Sequence, residues 1–440
     1  MGYCSCLDKI HSSRTVFFVV IHFVNIDFMN HICEKSACTG CMACMNACTH
    51  HAIELEIDDE GFERPVINDD LCVDCGLCSK VCPINKLPQL NEAKEAFSGW
   101  SSHEAVRLSS SSGGAFTEIA RPILDKGGVV FGCALNDKLK AEHVYVETLE
   151  ELEEKLRGSK YVQSHIGKSY KQAKDFLKQG RLVVFSGTPC QIAGLRNYLR
   201  HDYNNLFTID LVCHGVPSPM IFEHYKEFVQ RHENMKLTKV GFRCKKSSWI
   251  FFNMTLQGHV EKSGALKTYI GRYYNDPYLR GFLRDYFLRP SCYQCRFTSV
   301  QRCSDFTIAD WWGYNKVSSK DKDFRKKGVS LVLANTAKAV ELMSTLDMSL
   351  RSRTMEEAKM TNVSLSRSFA MTDVRAKFWN DYRKLSFEDL VNKYMQPEPI
   401  SWDVNLMQRI PNTDVVIFLI RLMRFIRRII GKLFFTQMKH

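Results

Sequence analysis

The sequence lacks an apolar run long enough to cross a membrane. Residues 16–29 are largely apolar, but polar residues interrupt them, and they fall short of the roughly 20 residues that a spanning helix needs. No small-residue cleavage site follows, which argues against a cleaved signal peptide. We therefore expect residues 1–28 to be an overextended translation start or a disordered leader.

The sequence also lacks the fingerprint of a Rossmann nicotinamide site. No G-x-G-x-x-G follows a predicted strand, and the run GGVVFG at Gly127 has the wrong spacing. Internal repeats and long low-complexity tracts are absent as well. These absences disfavour a nicotinamide-dependent dehydrogenase and a repeat architecture.

Cysteine, by contrast, is abundant. The 440 residues include 18 cysteines, and eight of them fall into two runs with ligand-like spacing. Disulfides would be expected of so many cysteines in a secreted chain, but this spacing favours metal binding in a reducing compartment. The net charge is +12, and much of the excess of cations lies near the C-terminus. We predict a cytoplasmic protein without a nucleic-acid partner.

Both cysteine runs have the form C-x2-C-x2-C-x3-C. In two-cluster ferredoxins the fourth cysteine of each run crosses to the other cluster. The first predicted 4Fe-4S cluster is therefore held by Cys38, Cys41, Cys44 and Cys82, and the second by Cys72, Cys75, Cys78 and Cys48. Zinc sites usually pair two CxxC units instead. Between the runs, alternating residues around an Asp-Glu-Gly turn predict a β-hairpin. We assign residues 29–90 to a small pseudo-symmetric dicluster ferredoxin domain.

Six further motifs follow in order: RLSSSSGGAF from Arg107, LRGSKYVQSHIG from Leu156, VVFSGTPCQIAGLRNYL from Val183, IDLVCHGVPSP from Ile209, FRCKKSSW from Phe242 and RPSCYQCRFTSVQRCSDFTIADWWG from Arg289. Together they resemble the beta-subunit family of coenzyme F420-reducing hydrogenase and its dehydrogenase relatives, which includes the plastid 7-hydroxymethyl chlorophyll a reductase. The resemblance covers roughly residues 36–390. It implies a flavoprotein, usually with FAD, that passes electrons between iron–sulfur centres and a two-electron carrier or substrate. It assigns residues 91–395 to the flavin domain.

The flavin-binding prediction rests on several local patterns. A Ser- and Gly-rich turn before an apolar helix offers backbone N–H groups to a pyrophosphate, although an ordinary capped helix has the same pattern. Strand ends in an open α/β sheet also bind ligands. The predicted cofactor-binding residues are Ser111, Ser112, Gly113, Gly114, Lys160, Gly187, Thr188, Arg243 and Asp310. Solvated surface charge is the alternative for the lysine and the arginine.

Two predicted strands end close to a cysteine, Cys190 and Cys213, which would place both thiols at one edge of the sheet. With the CxxC pair Cys292 and Cys295 they predict a third 4Fe-4S cluster, and the resembling family has cysteines at these four positions. In the competing interpretation Cys190 is a redox nucleophile. His214 is the candidate proton donor, or else it caps a turn.

The C-terminal segment, residues 396–440, contains a basic amphipathic pattern. Four cations recur at spacings of three and four, and apolar residues cover the remainder. Such a helix suits an anionic membrane surface, at the inner face of the membrane, or docking on a partner subunit or on the chain itself.

The predicted fold class is therefore α+β: the ferredoxin domain, a larger mixed α/β flavin domain and a C-terminal amphipathic helix. The expected function is an oxidoreductase passing electrons between 4Fe-4S clusters, FAD and a carrier such as coenzyme F420. Its expected partners are a ferredoxin or partner redox subunit and a deazaflavin or other small organic substrate. Two alternatives stay open: a ferredoxin-dependent reductase of another substrate, and a non-enzymatic electron-transfer adaptor.

Overall fold

The computed structural model describes residues 32–245, 248–317 and 324–397, and Leu422 alone beyond them. The expected leader and almost all of the expected basic tail lie outside these residues. The described chain forms a small N-terminal region followed by a larger mixed α/β region, in agreement with the predicted order.

The N-terminal region contains the predicted hairpin. Strand β1 (Ile53–Ile57) pairs antiparallel with β2 (Glu63–Ile67). The Asp58 carboxylate closes the turn, because its Oδ1 atom accepts hydrogen bonds from the backbone N–H groups two and four residues further on. Each cysteine run begins in a loop and ends on a short helix, α1 (Ala43–Ala47) or α2 (Leu77–Lys80). The hairpin thus separates two loop–helix units.

The larger region is built on an eight-stranded sheet with the order β13-β3-β12-β11-β7-β6-β4-β5. Its strands are β3 (Glu95–Ser101), β4 (Val129–Leu135), β5 (Ala141–Val146), β6 (Val183–Ser186), β7 (Leu206–Leu211), β11 (Phe306–Asp310), β12 (Ser330–Ala334) and β13 (Met348–Arg353). Strands β4, β6, β7 and β11 run parallel, and the others pair antiparallel. The carboxyl ends of β6, β7 and β11 therefore meet at one edge, as predicted for β6 and β7.

Helices cover both faces of this sheet. They are α3 (Glu104–Ser109), α4 (Ala115–Leu124), α5 (Leu149–Glu151) with the π-helical turn Leu152–Leu156, α6 (Ser169–Lys178), α7 (Pro189–Leu199), α10 (Phe324–Lys327), α11 (Ala337–Met343) and α12 (Met355–Thr361). Val183, Val184 and Phe185 of β6 are fully buried, as expected for a parallel strand covered on both faces. Helices α4 and α11 pack on one face, and α6 and α7 on the other.

A second, antiparallel sheet has the order β10-β9-β8. Its strands are β8 (Met235–Cys244), β9 (Asn253–Val260) and β10 (Leu266–Arg272), and it packs with α8 (Pro219–Glu233), α9 (Pro277–Leu283), α13 (Asp373–Tyr382) and α14 (Phe387–Tyr394). An aromatic core joins them, including Phe222, Tyr278 and Phe378. Each such ring contributes about 1.5–3 kcal/mol by leaving water. This core holds β8 beside the carboxyl edge of the main sheet.

Candidate functional site

The first cysteine set consists of Cys38, Cys41, Cys44 and Cys82, and all four line one cavity. Left-handed backbone at Gly40 and Met42 (φ 67° and 60°) curls the loop so that cysteines three residues apart face inward. Burial, followed by the charges of the other three thiols, raises the pKa of Cys44 well above its ordinary value. The structure thus brings together the first three cysteines of one run and the last of the other.

The residues around this cavity fit an iron–sulfur cluster. None of the cysteines in the described chain forms a disulfide. The Thr39 hydroxyl lies buried at the same cavity and is also one of the hydrogen-bonding groups that act on the Cys190 thiol. Four converging thiols are what a 4Fe-4S cluster requires.

The second cysteine set consists of Cys72, Cys75, Cys78 and Cys48. Burial, followed by the charges of Cys72 and Cys75, raises the pKa of Cys78. Cys48 and Cys78, both partly buried, pack against the apolar cluster that contains Cys44 and Cys82 of the first set. The loop that carries this set faces solvent, with Cys75 exposed and with the apolar side chains of Leu71 and Val73 about half exposed (48% and 57%). The second set therefore lies between the first set and the surface.

The third cysteine set consists of Cys190, Cys213, Cys292 and Cys295. Burial, followed by the charges of the other three, raises the pKa of Cys213 well above its ordinary value. Burial likewise raises the pKa of Cys292 to about 12 and that of Cys190 to about 11. Cys190 is the second residue of helix α7, which follows β6. Cys213 follows β7, and the CxxC pair lies at the 3-10 turn Pro290–Gln294. Three separate segments thus bring four thiols to the carboxyl edge of the sheet.

The first and third sets are in contact through helix α7. A Cβ atom on Gly194 would lie 3.0 Å from Cys41 Sγ and 3.2 Å from the Tyr170 hydroxyl. Cys190 lies one helical turn earlier on the same face of α7. Cys190 also appears among the groups whose charges raise the pKa of Cys41, after burial and the charge of Cys82. The two sets are therefore neighbours.

Apart from the three cysteine sets, a group of polar side chains forms around Arg243. Its guanidinium binds both carboxylate oxygens of Asp310, at 2.6 and 3.0 Å, and also the Tyr161 hydroxyl at 3.1 Å. The Asp310 carboxylate also accepts a 2.7 Å hydrogen bond from Trp249 Nε1, and the Trp249 and Trp312 rings stack 5.0 Å apart. The Arg243 Nε atom is buried and lacks an acceptor among the described residues.

The Ser-rich turn joins this group. The Ser111 carbonyl accepts from Arg243 at 3.3 Å, and the Ser111 hydroxyl accepts from the Ser159 N–H at 2.8 Å. Lys245 donates to the carbonyl of Ser112 and to those of Arg107 and Lys327, all at 2.6–2.7 Å. Of the predicted cofactor residues, the structure thus gathers Ser111, Ser112, Arg243 and Asp310.

Two other predicted cofactor residues use their polar groups inside the protein. The Gly113 N–H donates to Ser330 Oγ at 2.9 Å, and a Cβ atom there would lie 2.4 Å from the Gly99 carbonyl oxygen. Lys160 donates to the carbonyls of Lys155, Leu156 and Arg157, and burial lowers its pKa to about 8. Its ammonium group thus closes the π-helical turn.

The remaining predicted residues lie at the starts of helices. Gly114 has the left-handed backbone (φ 99°) that begins α4. The Thr188 N–H donates to Gln191 Oε1 at 2.9 Å and its hydroxyl lies 3.1 Å from Cys190 Sγ. Gly187 donates its N–H to the Ile209 carbonyl at 3.0 Å. Gly187 and Thr188 thus support the third cysteine set and do not join the Arg243 group.

His214 lies next to Cys213 and is oriented by Asp285, whose carboxylate is 2.7 Å from His214 Nε2. Its ring packs on Phe282, and Phe282 in turn packs on the ring of Tyr161 (centroids 4.8 Å apart in both pairs). Since Tyr161 binds Arg243, an unbroken series of side chains leads from the third set to the Arg243 group.

Three residues around the site escaped the sequence analysis. Cys33, which was given no role, lines the cavity of the first set, and the hydrogen bond it offers is the main cause that lowers the pKa values of Cys38 and Cys82. Arg289, which is distant in sequence, donates a hydrogen bond to the Cys38 carbonyl. Asp285 orients His214. Arg289 is the first residue of the motif RPSCYQC, so its closeness in sequence to the CxxC pair could have marked it as a site residue. Nothing in the sequence connects Asp285 with His214.

No helix in the described part of the chain is long and apolar enough to cross a membrane.

Three family models match the chain. Two of them describe the coenzyme F420 hydrogenase/dehydrogenase beta subunit: the model of its C-terminal part matches residues 180–359, and the model of its N-terminal part matches residues 96–171. The third, "4Fe-4S dicluster domain", matches residues 37–86. The matched ranges contain the third cysteine set, the Ser-rich turn and both ferredoxin runs, respectively.

Individual relatives are more distant. A coenzyme F420-dependent sulfite reductase from Methanocaldococcus jannaschii is 23% identical over 351 residues, covering 77% of this chain and 50% of the relative. One of the subunits of an F420H2 dehydrogenase from Methanosarcina mazei is 25% identical over 194 residues, covering 41% of this chain and 54% of the relative. The chain thus spans about half the length of both relatives.

Among solved structures, the xenon-derivatized F420-reducing [NiFe] hydrogenase complex from Methanosarcina barkeri has a chain that is 18% identical, with a TM-score of 0.40, covering 70% of this chain and 94% of that one.

Proposed function

Because the chain belongs to the coenzyme F420 hydrogenase/dehydrogenase beta-subunit family and contains a 4Fe-4S dicluster domain, we propose that it is an iron–sulfur flavoprotein that works as one subunit of an oxidoreductase. It passes electrons between 4Fe-4S clusters and FAD, and on to a two-electron carrier such as coenzyme F420. Both relatives described above carry F420 in their names, which supports this carrier.

Each cysteine set supplies the four thiolates of one cluster. The first and second sets exchange their fourth ligands, Cys82 and Cys48, as two-cluster ferredoxins do. The third set binds its cluster at the carboxyl edge of the main sheet, where open α/β sheets hold their ligands. When bound, the clusters carry single electrons and a flavin pairs them for hydride exchange.

One observation carries the proposal: the contact of Cys41 with Gly194, one turn after Cys190. It makes the first and third sets neighbours. The order from the surface inward is then the second set, the first set, the third set and the Arg243 group. The exposed loop around Cys75 is the contact point for a ferredoxin or a partner redox subunit.

The Arg243 group is the proposed flavin site. The free Nε–H of Arg243 supplies a donor in a buried location, and the stacked rings of Trp249 and Trp312 supply a flat apolar surface. Asp310 holds the guanidinium in place. His214, oriented by Asp285, is positioned to hold the proton that accompanies hydride exchange. Cys190 serves as a cluster ligand in this account, not as a nucleophile.

A second candidate function is a non-enzymatic electron-transfer adaptor. It is favoured by one observation: Lys160 and the Gly113 N–H, both predicted to bind flavin, are engaged within the protein. An adaptor would hold the clusters and pass electrons to a partner without binding a flavin.

Flavin quantitation and turnover separate these functions. The full chain is purified anaerobically, its flavin is released and counted, and reduction of F420 by reduced ferredoxin is followed optically. About one flavin per chain together with F420 turnover supports the proposal. Flavin without F420 turnover indicates a reductase of another substrate, and a chain that binds no flavin under any condition is the adaptor.

A further inference from the structure

Arg289 is a cation buried between two cysteine sets. It is 1% exposed. Its Nε atom donates to the Cys38 carbonyl at 2.8 Å, and its Nη2 atom lies 3.8 Å from Cys38 Sγ and donates to the Glu63 carbonyl at 2.9 Å. On its other side, Nη1 donates to Gln163 Oε1 at 3.1 Å, and the N–H of Cys292 binds the Arg289 carbonyl at 2.9 Å.

These partners leave the charge of Arg289 uncompensated. They are carbonyl oxygens, an amide, a thiol and the face of the Phe62 ring, 5.3 Å from the guanidinium carbon, and no carboxylate among the described residues comes within ion-pair distance of the guanidinium. A buried cation without a counter-charge is strongly destabilising. Arginine stays protonated in proteins, so the charge cannot be removed by losing a proton. A compensating anion is therefore expected beside the guanidinium, and the first cysteine set is placed to hold it, because Arg289 Nη2 lies 3.8 Å from Cys38 Sγ.

Arg64 provides an internal contrast. It is also buried, and it also donates to the Cys38 carbonyl, at 3.2 Å. However, its Nε atom binds the Asp58 carboxylate at 2.8 Å. The same loop thus receives hydrogen bonds from one paired and one unpaired arginine, and only the unpaired one needs the charge of a bound group.

We propose that Arg289 is a positioning residue that acts as the buried counter-cation of the cluster held by Cys38, Cys41, Cys44 and Cys82. It holds the Cys38 loop against the larger region and raises the reduction potential of that cluster, because the added electron is attracted to a fixed cation beside a ligand sulfur. This inference rests on the cluster assignment made under the proposed function.

The test compares three variants of the full chain, prepared anaerobically. Arg289→Gln removes the charge and keeps a hydrogen-bonding side chain. Arg289→Lys keeps the charge but lacks the planar guanidinium group. The matched control, Asp58→Asn with Arg64→Gln, removes an ion pair of zero net charge on the hairpin that contacts the same loop, and asparagine retains the Oδ1 acceptor of the turn. Iron is counted, and cluster potentials are measured by redox titration with EPR detection. The signal lost in Cys41→Ser identifies the first cluster.

We expect Arg289→Gln to lower the equilibrium constant for reduction of the first cluster by about tenfold or more, which corresponds to about 59 mV for one electron. Arg289→Lys should restore most of it, and the double control should change it by less than about threefold. If Arg289→Gln fails to load the first cluster while Arg289→Lys loads it, the charge is again supported.

Three results would overturn the inference. The first is a first-cluster potential in Arg289→Gln that matches the wild-type protein, the second is a shift no larger than that of the double control, and the third is loss of iron in Arg289→Lys as well as in Arg289→Gln. Wild-type protein without any EPR-active cluster would instead overturn the proposed function together with this inference.

Discussion

A methyl group on Gly194 would lie 3.0 Å from the Sγ atom of Cys41, so helix α7 and the first cysteine loop touch directly. The contact brings a ligand candidate of the first set against the helix whose first turn contains Cys190, a ligand candidate of the third set. Because a side chain at position 194 would separate the two, glycine is required here for proximity and not for backbone conformation.

Gly194→Ala tests that contact. Alanine favours a helix interior over glycine by about 1 kcal/mol, but its methyl group must displace Cys41 or Tyr170. We expect net destabilisation of about 1–3 kcal/mol, as for other overpacked cores, and partial loss of iron from the first set. The melting temperature and the iron content of the purified chain measure these effects. A more stable variant with full iron content would show that the loop has room to spare.

Cys190→Ser tests the third set. The variant should lose about four irons per chain, since three thiolates hold a 4Fe-4S cluster poorly, while both ferredoxin clusters remain. Cys303→Ser is the matched control, because Cys303 is also a buried free thiol and lies near the same core but outside the set. Equal iron content in the two variants would remove Cys190 from the ligands.

The grouping of the first cysteine set around one cavity could be predicted from the sequence. Spacing alone grouped Cys82 with the first run, because the crossing of the fourth ligand is a geometric property of two adjacent loops. The two parallel strands before Cys190 and Cys213 could be predicted because each is a continuous apolar run that ends in a turn.

The contacts of His214 and of the Arg243 group could not be predicted from the sequence, because they join side chains that are far apart in the chain. The bond between His214 and Asp285 spans 71 residues, and that between Arg243 and Asp310 spans 67. A local pattern cannot show which carboxylate a buried cation will meet. Likewise, the three carbonyls that hold Lys160 come from a π-helical turn, for which the sequence offered no periodic signal.

Cys33→Ser tests whether the extra thiol at the first cavity is a required ligand. Four other cysteines already line that cavity, so the variant should keep its full iron content. Cys82→Ser should lose iron, although both residues neighbour the same site. Iron and acid-labile sulfide analysis of the two variants decides the matter, and iron loss in Cys33→Ser alone would exchange the two assignments.

His143 makes the stability of the larger region depend on pH. Its Nε2–H donates to the Ser186 carbonyl at 3.0 Å and its Nδ1 atom accepts from Ser164 Oγ at 3.0 Å, and burial lowers its pKa to about 4. Below the unfolded-state pKa of about 6.5, the His143 imidazole is protonated in the unfolded chain but stays neutral in the folded chain. Stability is therefore complete above that pH and is lost as the pH falls towards about 4, by about 3 kcal/mol in total.

His143→Gln should remove this dependence, because glutamine has no proton to gain and keeps a donor for the Ser186 carbonyl. Melting temperatures at about pH 7.5 and about pH 5 compare the two proteins, and the wild-type protein should fall by the equivalent of about 2 kcal/mol more. Parallel pH profiles would show that His143 is protonated, or solvated, in the folded protein.

Counting iron and acid-labile sulfide in the anaerobically purified full chain, with Mössbauer spectroscopy to define the cluster type, tests the three cysteine sets most directly. The account predicts about twelve irons and as many sulfides per chain, all in 4Fe-4S clusters. About eight irons would contradict the third set, and colourless protein, or zinc in place of iron, would contradict the whole assignment.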